Sequence, residues 1–290
     1  MVTLLQQTRF ALGELGIRPH KRFGQHFLIS AAVVEKMITA AQVAAGDVIL
    51  EIGPGLGALS VPLAERAAKL YLVEIDALLA ERLQQRFAAD NHAHVIVADF
   101  LTLNLASTFR EPTIHVVASL PYNVATPILF RLLEHRRQFP EATVMMQKEV
   151  AERLTAEPGT KAYGVPSVFT QLYATVSTVC TVGPGSFFPA PQVESQVIRL
   201  VFQPSPRAPV RNEKVFQQVV KAAFAQRRKT LRNALKAAGY DDIKGIERRA
   251  GVDFQRRGET LSVDEFAVLA NVLANEEFPR SSQEDKLLCR

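Results

Sequence analysis

The sequence predicts an α/β protein: a mostly parallel sheet with crossover helices, followed by a small helical domain. Three observations carry this. Short β-branched runs alternate with amphipathic stretches from about residue 48 to 203, a proline-rich break follows, and beyond the break apolar residues recur only at helical spacing. The runs are Val48–Ile52, Leu70–Ile75, His94–Ala98, Ile114–Ser119, Thr143–Met146, Thr175–Val182 and Gln196–Phe202, with helix-like segments at Leu59–Arg66, Ala77–Ala88 and Pro127–Arg136. Strands alternating with helices specify parallel pairing through crossovers. The last two runs are joined by VGPGSFFPAPQVES, rich in glycine and proline, so an antiparallel hairpin is expected at the end of the sheet. Pro204, Pro206 and Pro209 fix φ and remove donors, which makes 204–211 a linker. Val215, Phe216, Val219, Val220, Ala223 and Phe224, then Leu231, Ala234 and Leu235, then Phe266 to Leu273 place helices over 212–275. Residues 276–290 are polar and aperiodic, as in a frayed tail.

Composition narrows the class. With 290 residues, 48% hydrophobic and 22% charged, the chain can bury a sizeable core, which excludes wholesale disorder. Its two cysteines, Cys180 and Cys289, are too few and too far apart for a disulfide-stapled secreted scaffold. No apolar run reaches the roughly 18 residues that span a bilayer, and Arg9 and Glu14 interrupt the start where a signal peptide needs an apolar block. A soluble, cytoplasmic protein is expected. The net charge of +5 is unevenly spread: Arg207–Thr260 holds 14 Lys and Arg against 6 Asp and Glu, a net of +8, which leaves −3 for the rest. A basic segment on a mildly acidic body is the electrostatic form of a polyanion-binding appendage. Isolated cysteines and histidines without ligand spacing imply no metal.

The first strand enters Glu51-Ile52-Gly53-Pro54-Gly55-Leu56-Gly57-Ala58, a glycine turn of the kind that lets backbone approach a nucleotide. Glu74 ends the second strand about twenty residues on, where a carboxylate can grip two ribose hydroxyls; both NAD and S-adenosylmethionine present them. The third strand ends in Asp99-Phe100, a carboxylate able to accept from an exocyclic adenine amine beside a ring able to stack. The fourth ends in Ser119-Leu120-Pro121-Tyr122-Asn123, at the sheet edge where open α/β folds bind ligands.

This order resembles the methyltransferases that act on exocyclic amines of nucleic acids. Further segments narrow the resemblance: Lys21-Arg22-Phe23-Gly24-Gln25-His26-Phe27-Leu28, Met146-Gln147-Lys148-Glu149-Val150, Lys161-Ala162-Tyr163-Gly164, Phe187-Phe188-Pro189-Ala190-Pro191-Gln192-Val193-Glu194-Ser195, and the basic stretch from Ala223 through Arg227, Arg228 and Lys229 to Asn233. Over about residues 18–275 the chain resembles the ribosomal RNA adenine dimethyltransferases. The resemblance implies a Rossmann-like class I methyltransferase domain over 1–203, with 1–47 covering the cofactor, and an RNA-binding helical domain over 212–275. It implies S-adenosylmethionine contacts at Gln25, His26, Leu28, Gly53, Gly55, Glu74, Asp99 and Ser119. It also implies a catalytic set of Ser119, Leu120, Pro121, Tyr122 and Phe187, in which Ser119 and the Leu120 carbonyl accept from the target amine while Tyr122 and Phe187 sandwich the base. Lys221, Arg227, Arg228, Lys229, Arg232 and Lys236 would contact RNA, the partner being the small ribosomal subunit; nothing demands a dimer.

Two residues depart from the family pattern. His26 and Ser119 both stand where asparagine is usual. Ser119 keeps an oxygen acceptor on a shorter arm. The alternatives are a large-subunit RNA methyltransferase on the same fold and a catalytically weak RNA-binding assembly factor. An NAD-dependent dehydrogenase would need a hydride-transfer site that nothing after the fourth strand supplies.

Overall fold

The computed structural model describes residues 2–19, 24–226 and 228–274. The tail at 276–290, Arg227, and Lys21, Arg22 and Phe23 of the entry motif lie outside the described residues. The chain divides into two compact units, Met1–Ala151 with Val176–Phe202, and Glu152–Thr175 with Gln203–Arg290.

In the first unit, α1 (Leu4–Glu14), β1 (Phe27–Leu28) and α2 (Ala31–Ala41) precede the sheet strands. There follow β2 (Val48–Ile52), α3 (Ser60–Ala64), β3 (Lys69–Glu74), α4 (Ala77–Arg86), β4 (Ala93–Val97), α5 (Leu105–Thr108), β5 (His115–Ser119), α6 (Ala125–Glu134) and β6 (Glu141–Gln147). After α7 (Lys148–Leu154) and α8 (Val165–Tyr173) come β7 (Ala174–Val182), β8 (Phe187–Phe188) and β9 (Ser195–Phe202). The seven-stranded sheet has the order β4-β3-β2-β5-β6-β9-β7. Strands β2 to β6 pair in parallel and β9 runs antiparallel to β6. Parallel strands covered on both faces need near-continuous apolar runs, and β2 and β3 have them: Ile49, Leu50, Leu70 and Leu72 are fully buried. Each expected run is a strand, shifted by no more than two residues at either end. The expected terminal hairpin is a side-by-side placement of β7 and β9 at the end of the sheet, interrupted by β8, which leaves to pair antiparallel with β1 (Phe27 opposite Phe188, Leu28 opposite Phe187).

The stretch 1–47 has a second job beside any covering role. Ser30 caps α2 by accepting from the Val33 N–H. One face of this helix, Val33, Val34, Met37, Ile38 and Ala41, then joins Ile49, Leu70, Leu72, Val117, Met145 and Val197 in one core. Residues at 3–4 spacing share a helix face, so the stripe is continuous.

The second unit contains α8, α9 (Glu213–Ala225), α10 (Leu231–Ala237), α11 (Ile243–Ala250) and α12 (Val263–Leu273). It takes in Glu152–Thr175, which the sequence reading placed in the first domain. The physical reason is aromatic: the buried Tyr163 hydroxyl donates to the Leu261 carbonyl at 2.9 Å, and Phe169 meets Phe216 edge-on at 5.6 Å. Pro204–Arg211 forms no helix or strand. Side chains cap the N-termini of the last four: Asn212 for α9, Thr230 for α10, Asp242 for α11, and a Ser262/Glu265 capping box for α12.

Met37 is fully buried at the centre of the α2 stripe. Met37→Ala is therefore expected to cost about 2–5 kcal/mol of stability, the range for emptying a core site. Denaturant unfolding measures it; a cost near zero would mean that α2 is only a loose cover.

Candidate active site

The strand order reverses between β2 and β5, so the carboxyl ends of the parallel strands open a crevice there, where such sheets bind ligands. A cavity of about 400 Å3 lies at that edge. It is lined by Gln25, His26, Gly53, Gly55, Glu74, Asp99, Ser119, Leu120, Pro121, Tyr122 and Phe187, so nearly all the expected first-unit site residues share one space. Leu28, 5% exposed, lines instead an adjoining cavity of about 620 Å3 that it shares with His26, Gly53, Gly55 and Ser119. Leu28 and Phe187, directly opposite each other in the β1–β8 pair, are both buried in the same core, and of the two Phe187 also borders the first cavity.

The turn after β2 needs its glycines. Gly53 and Gly55 have φ of 68° and 58°, a region disfavoured for side-chain-bearing residues. At Gly55 space adds to this, since a Cβ there would sit 3.2 Å from the Phe27 ring, whereas at Gly53 it is the backbone conformation alone that calls for glycine.

Glu74 anchors this turn. It is 5% exposed; one oxygen accepts from the Gly55 N–H at 3.0 Å and the other from the Asp76 N–H at 2.9 Å. Burial raises its pKa, and these backbone donors oppose the shift. A carboxylate has about four lone-pair sites, so capacity remains for a vicinal diol. Asp76 in turn caps α4 through the Leu78 N–H and accepts from Gln25 Nε2 at 2.9 Å, which ties the segment before β1 to the end of β3. Asp99 accepts from the Leu101 N–H at 2.9 Å, and the Phe100 ring beside it is buried against the cavity.

The Ser119–Tyr122 segment is held at both ends. The Leu120 N–H donates to the Met145 carbonyl at 2.9 Å and the Val124 N–H to the Pro121 carbonyl at 3.1 Å, which fixes the Ser119–Leu120 and Pro121–Tyr122 peptide planes. The Tyr122 hydroxyl is 2.5 Å from the buried Ser195 Oγ, and burial raises the phenol pKa. Its ring lies 5.5 Å from the His26 ring at 25°, a stacked pair. His26 Nδ1 donates to the Pro189 carbonyl at 2.7 Å, so one imidazole links the entry segment, the Tyr122 turn and the loop carrying Phe187.

Sequence reading gave no role to Asn123 and Gly24, although both fall within its motifs and both line the cavity. A Cβ on Gly24 would come within 3.0 Å of Asn123 Oδ1, a contact between distant residues that no local signal reveals. It also missed the buried acid beneath the turn. Glu51 is fully enclosed, accepts from Ser60 Oγ at 2.6 Å, and burial pushes its pKa up to about 8. Among the described residues no cluster of His, Cys, Asp and Glu could hold a metal, and no helix is long and apolar enough to cross a membrane.

In the second unit, Arg228 and Lys229 are exposed in the turn between α9 and α10, Lys236 is exposed near the end of α10, and Lys221 is half-buried on α9. Arg232 is committed to an internal pair, its guanidinium 2.7 Å from the Glu247 carboxylate.

Comparison with known proteins places this arrangement. The sequence profile described as ribosomal RNA adenine dimethylase matches residues 16–275. The chain belongs to the ribosomal RNA adenine dimethylase family. It is 46% identical over 265 residues to the ribosomal RNA small subunit methyltransferase A of Geobacter sulfurreducens, covering 89% of this chain and 96% of that protein. It is 44% identical over 278 residues to the protein of the same name from Bacillus cytotoxicus, covering 92% and 95%. A dimethyladenosine transferase from Plasmodium falciparum superposes with a TM-score of 0.73 at 25% identity, over 86% of this chain and 98% of that one. Within this family frame, the glycine turn, Glu74, Asp99 and the Ser119–Tyr122 segment stand at the sheet edge that the fold reserves for its ligands.

The buried acid gives the fold a pH signature. The folded Glu51 carboxyl keeps its proton up to about pH 8, whereas its ordinary value is 4.5. Between these values the folded chain binds more protons than the unfolded one, so stability falls as pH rises through that window. Glu51→Gln keeps an oxygen for Ser60 and is expected to flatten the fall. Melting temperatures of both forms across the window check this; parallel curves would mean that Glu51 does not carry the titration.

Proposed function

We propose that this member of the ribosomal RNA adenine dimethylase family transfers methyl groups from S-adenosylmethionine to the N6 amines of adenines in small-subunit ribosomal RNA, giving N6,N6-dimethyladenosine during ribosome biogenesis. The observation that carries the reading is the convergence of four successive strand ends, the glycine turn, Glu74, Asp99 and Ser119-Leu120-Pro121-Tyr122, on one cavity. The relatives named small-subunit methyltransferase over nearly their whole length support the choice of substrate.

The cavity residues fit the cofactor. The positive-φ glycine turn at Gly53 and Gly55 leaves backbone open to the amino-acid portion, Glu74 has lone pairs left for the ribose diol, and Asp99 accepts from the adenine amine beside Phe100. When bound, the sulfonium supplies the methyl group. The chain supplies orientation and acceptors. An adenine N6 lone pair is delocalised into its ring; Ser119 Oγ and the Leu120 carbonyl, accepting from the amine hydrogens, favour a pyramidal nitrogen and turn the lone pair toward the methyl carbon. Pro121 and the two backbone hydrogen bonds around it keep these acceptors at fixed distance. The proton leaves only after nitrogen has become cationic, so no strong base is required. The flipped base stacks on the face of Tyr122 not covered by His26, while Phe187, which the sequence put on the other side of the base, is buried in the core and only borders the cavity. After one transfer a single amine hydrogen remains, and one of the two acceptors still serves it.

RNA binding is electrostatic, with the exposed Arg228, Lys229 and Lys236 as the leading phosphate contacts. Arg232 serves the internal fold through Glu247, so its loss weakens RNA binding by loosening α10 against α11.

Labelled S-adenosylmethionine, unmethylated small subunits and nucleoside mass analysis test the function. N6,N6-dimethyladenosine is expected with small subunits and not with large ones; no transfer to small subunits, or transfer to large ones alone, would overturn the reading. In the same assay Ser119→Ala is expected to lower kcat by about 10²-fold, the scale of removing one preorganised polar group at a reacting centre, while Ser119→Asn retains turnover. Arg228→Glu with Lys229→Glu is expected to weaken subunit binding and make its salt dependence shallower; S-adenosylmethionine affinity stays as in the parent. An unchanged affinity for subunits at moderate salt would remove these residues from the RNA contact.

A further inference from the structure

Arg131 has no part in the reading above. It sits on α6 one turn after Ile128, which lines the cavity, so the two share a helix face. The guanidinium donates through Nη2 to the Leu103 carbonyl and lies over the Phe100 ring, 5.6 Å from its centroid. Burial lowers its pKa, and the charges of Glu134 and Asp99 work against that shift. Its Nε is buried without a hydrogen-bond partner among the described residues, a cost that an alkyl side chain at the same place would avoid. Packing alone does not explain an arginine here.

Its contacts converge on one short loop. Residues 99–103 close on Asp99: the Leu101 N–H donates to Oδ1 at 2.9 Å, and the Thr102 and Leu103 N–H groups donate to the Asp99 carbonyl at 3.1 and 3.0 Å. Arg131 holds the far end of that turn at Leu103, backs the ring in its middle at Phe100, and places positive charge near the carboxylate at its start. Phe100 and Asp99 both face the cavity. We propose that Arg131 is a positioning residue that sets the adenine selectivity of the cofactor site, by fixing the Asp99 carboxylate and the Phe100 ring as a preformed receptor for the edge and face of a 6-aminopurine. This rests on the reading of Asp99 as acceptor for the cofactor's adenine amine.

Calorimetric binding of S-adenosylhomocysteine and S-inosylhomocysteine, which differ in the 6-amino group, separates the two claims. The parent protein is expected to prefer the adenosyl ligand by about tenfold or more, equivalent to ~1.4 kcal/mol per tenfold. Arg131→Met is expected to bring the ratio close to one by weakening the adenosyl ligand alone. Arg131→Lys, which keeps the charge and can still reach the Leu103 carbonyl, recovers an intermediate ratio. If the parent protein does not discriminate, the reading of Asp99 fails and the inference with it. If the parent discriminates and Arg131→Met keeps the same ratio, or weakens both ligands equally, Arg131 is merely structural and the inference alone is overturned. Should Arg131→Met fail to fold, Arg131→Lys decides: a ratio equal to the parent's overturns the proposal.

Discussion

Two backbone N–H groups ending on one buried carboxylate hold the site together. Glu74 joins the glycine turn after β2 to the start of α4, and it can do so because β3 delivers it at the sheet edge, alongside Gly55 and two residues before Asp76. The linkage continues: Asp76 takes Gln25, the next residue His26 stacks on Tyr122, and Tyr122 closes on Ser195. Segments from five parts of the chain are thus in register through hydrogen bonds and one ring pair. A buried carboxylate without such donors would carry an uncompensated desolvation cost, so the arrangement is cooperative: each donor needs the acid, and the acid needs both donors.

A second acid lies beneath it. Glu51 is held by Ser60 and kept largely protonated at neutral pH, which spares Glu74 a like-charge neighbour in a low-dielectric setting. The two carboxyl groups therefore divide their work by environment. One is neutral and internal to the turn, and one receives backbone donors and faces the cavity.

The two units differ in the same way at larger scale. The sheet unit concentrates acceptors, Glu74, Asp99, Ser119 and the Leu120 carbonyl, around one cavity. The helical unit carries the basic excess, and part of that excess is spent internally, on Glu247 through Arg232 and on Glu265 through Arg256. Net charge by composition therefore overstates the surface available to a polyanion, while Arg228, Lys229 and Lys236 are among the basic residues that stay exposed.

Strand identity, the glycine turn and the acidic strand ends were legible in the sequence because each is a local matter. β-branched runs bounded by turn residues make strands, and a residue ending a parallel strand faces the ligand edge whatever else the fold does. Helices α2, α7 and α8 were not legible as elements. Their apolar stripes are short, and what stabilises them is the surface they bury against, such as the sheet under Met37. The placement of Leu28 in the core, the division that puts Tyr163 with the helical unit, the His26–Tyr122 stack and the pairing of Arg232 with Glu247 were likewise decided only by tertiary structure. Each depends on residues far apart in the chain meeting at a distance of a few ångströms, and periodicity along one segment carries no information about what another segment brings to it.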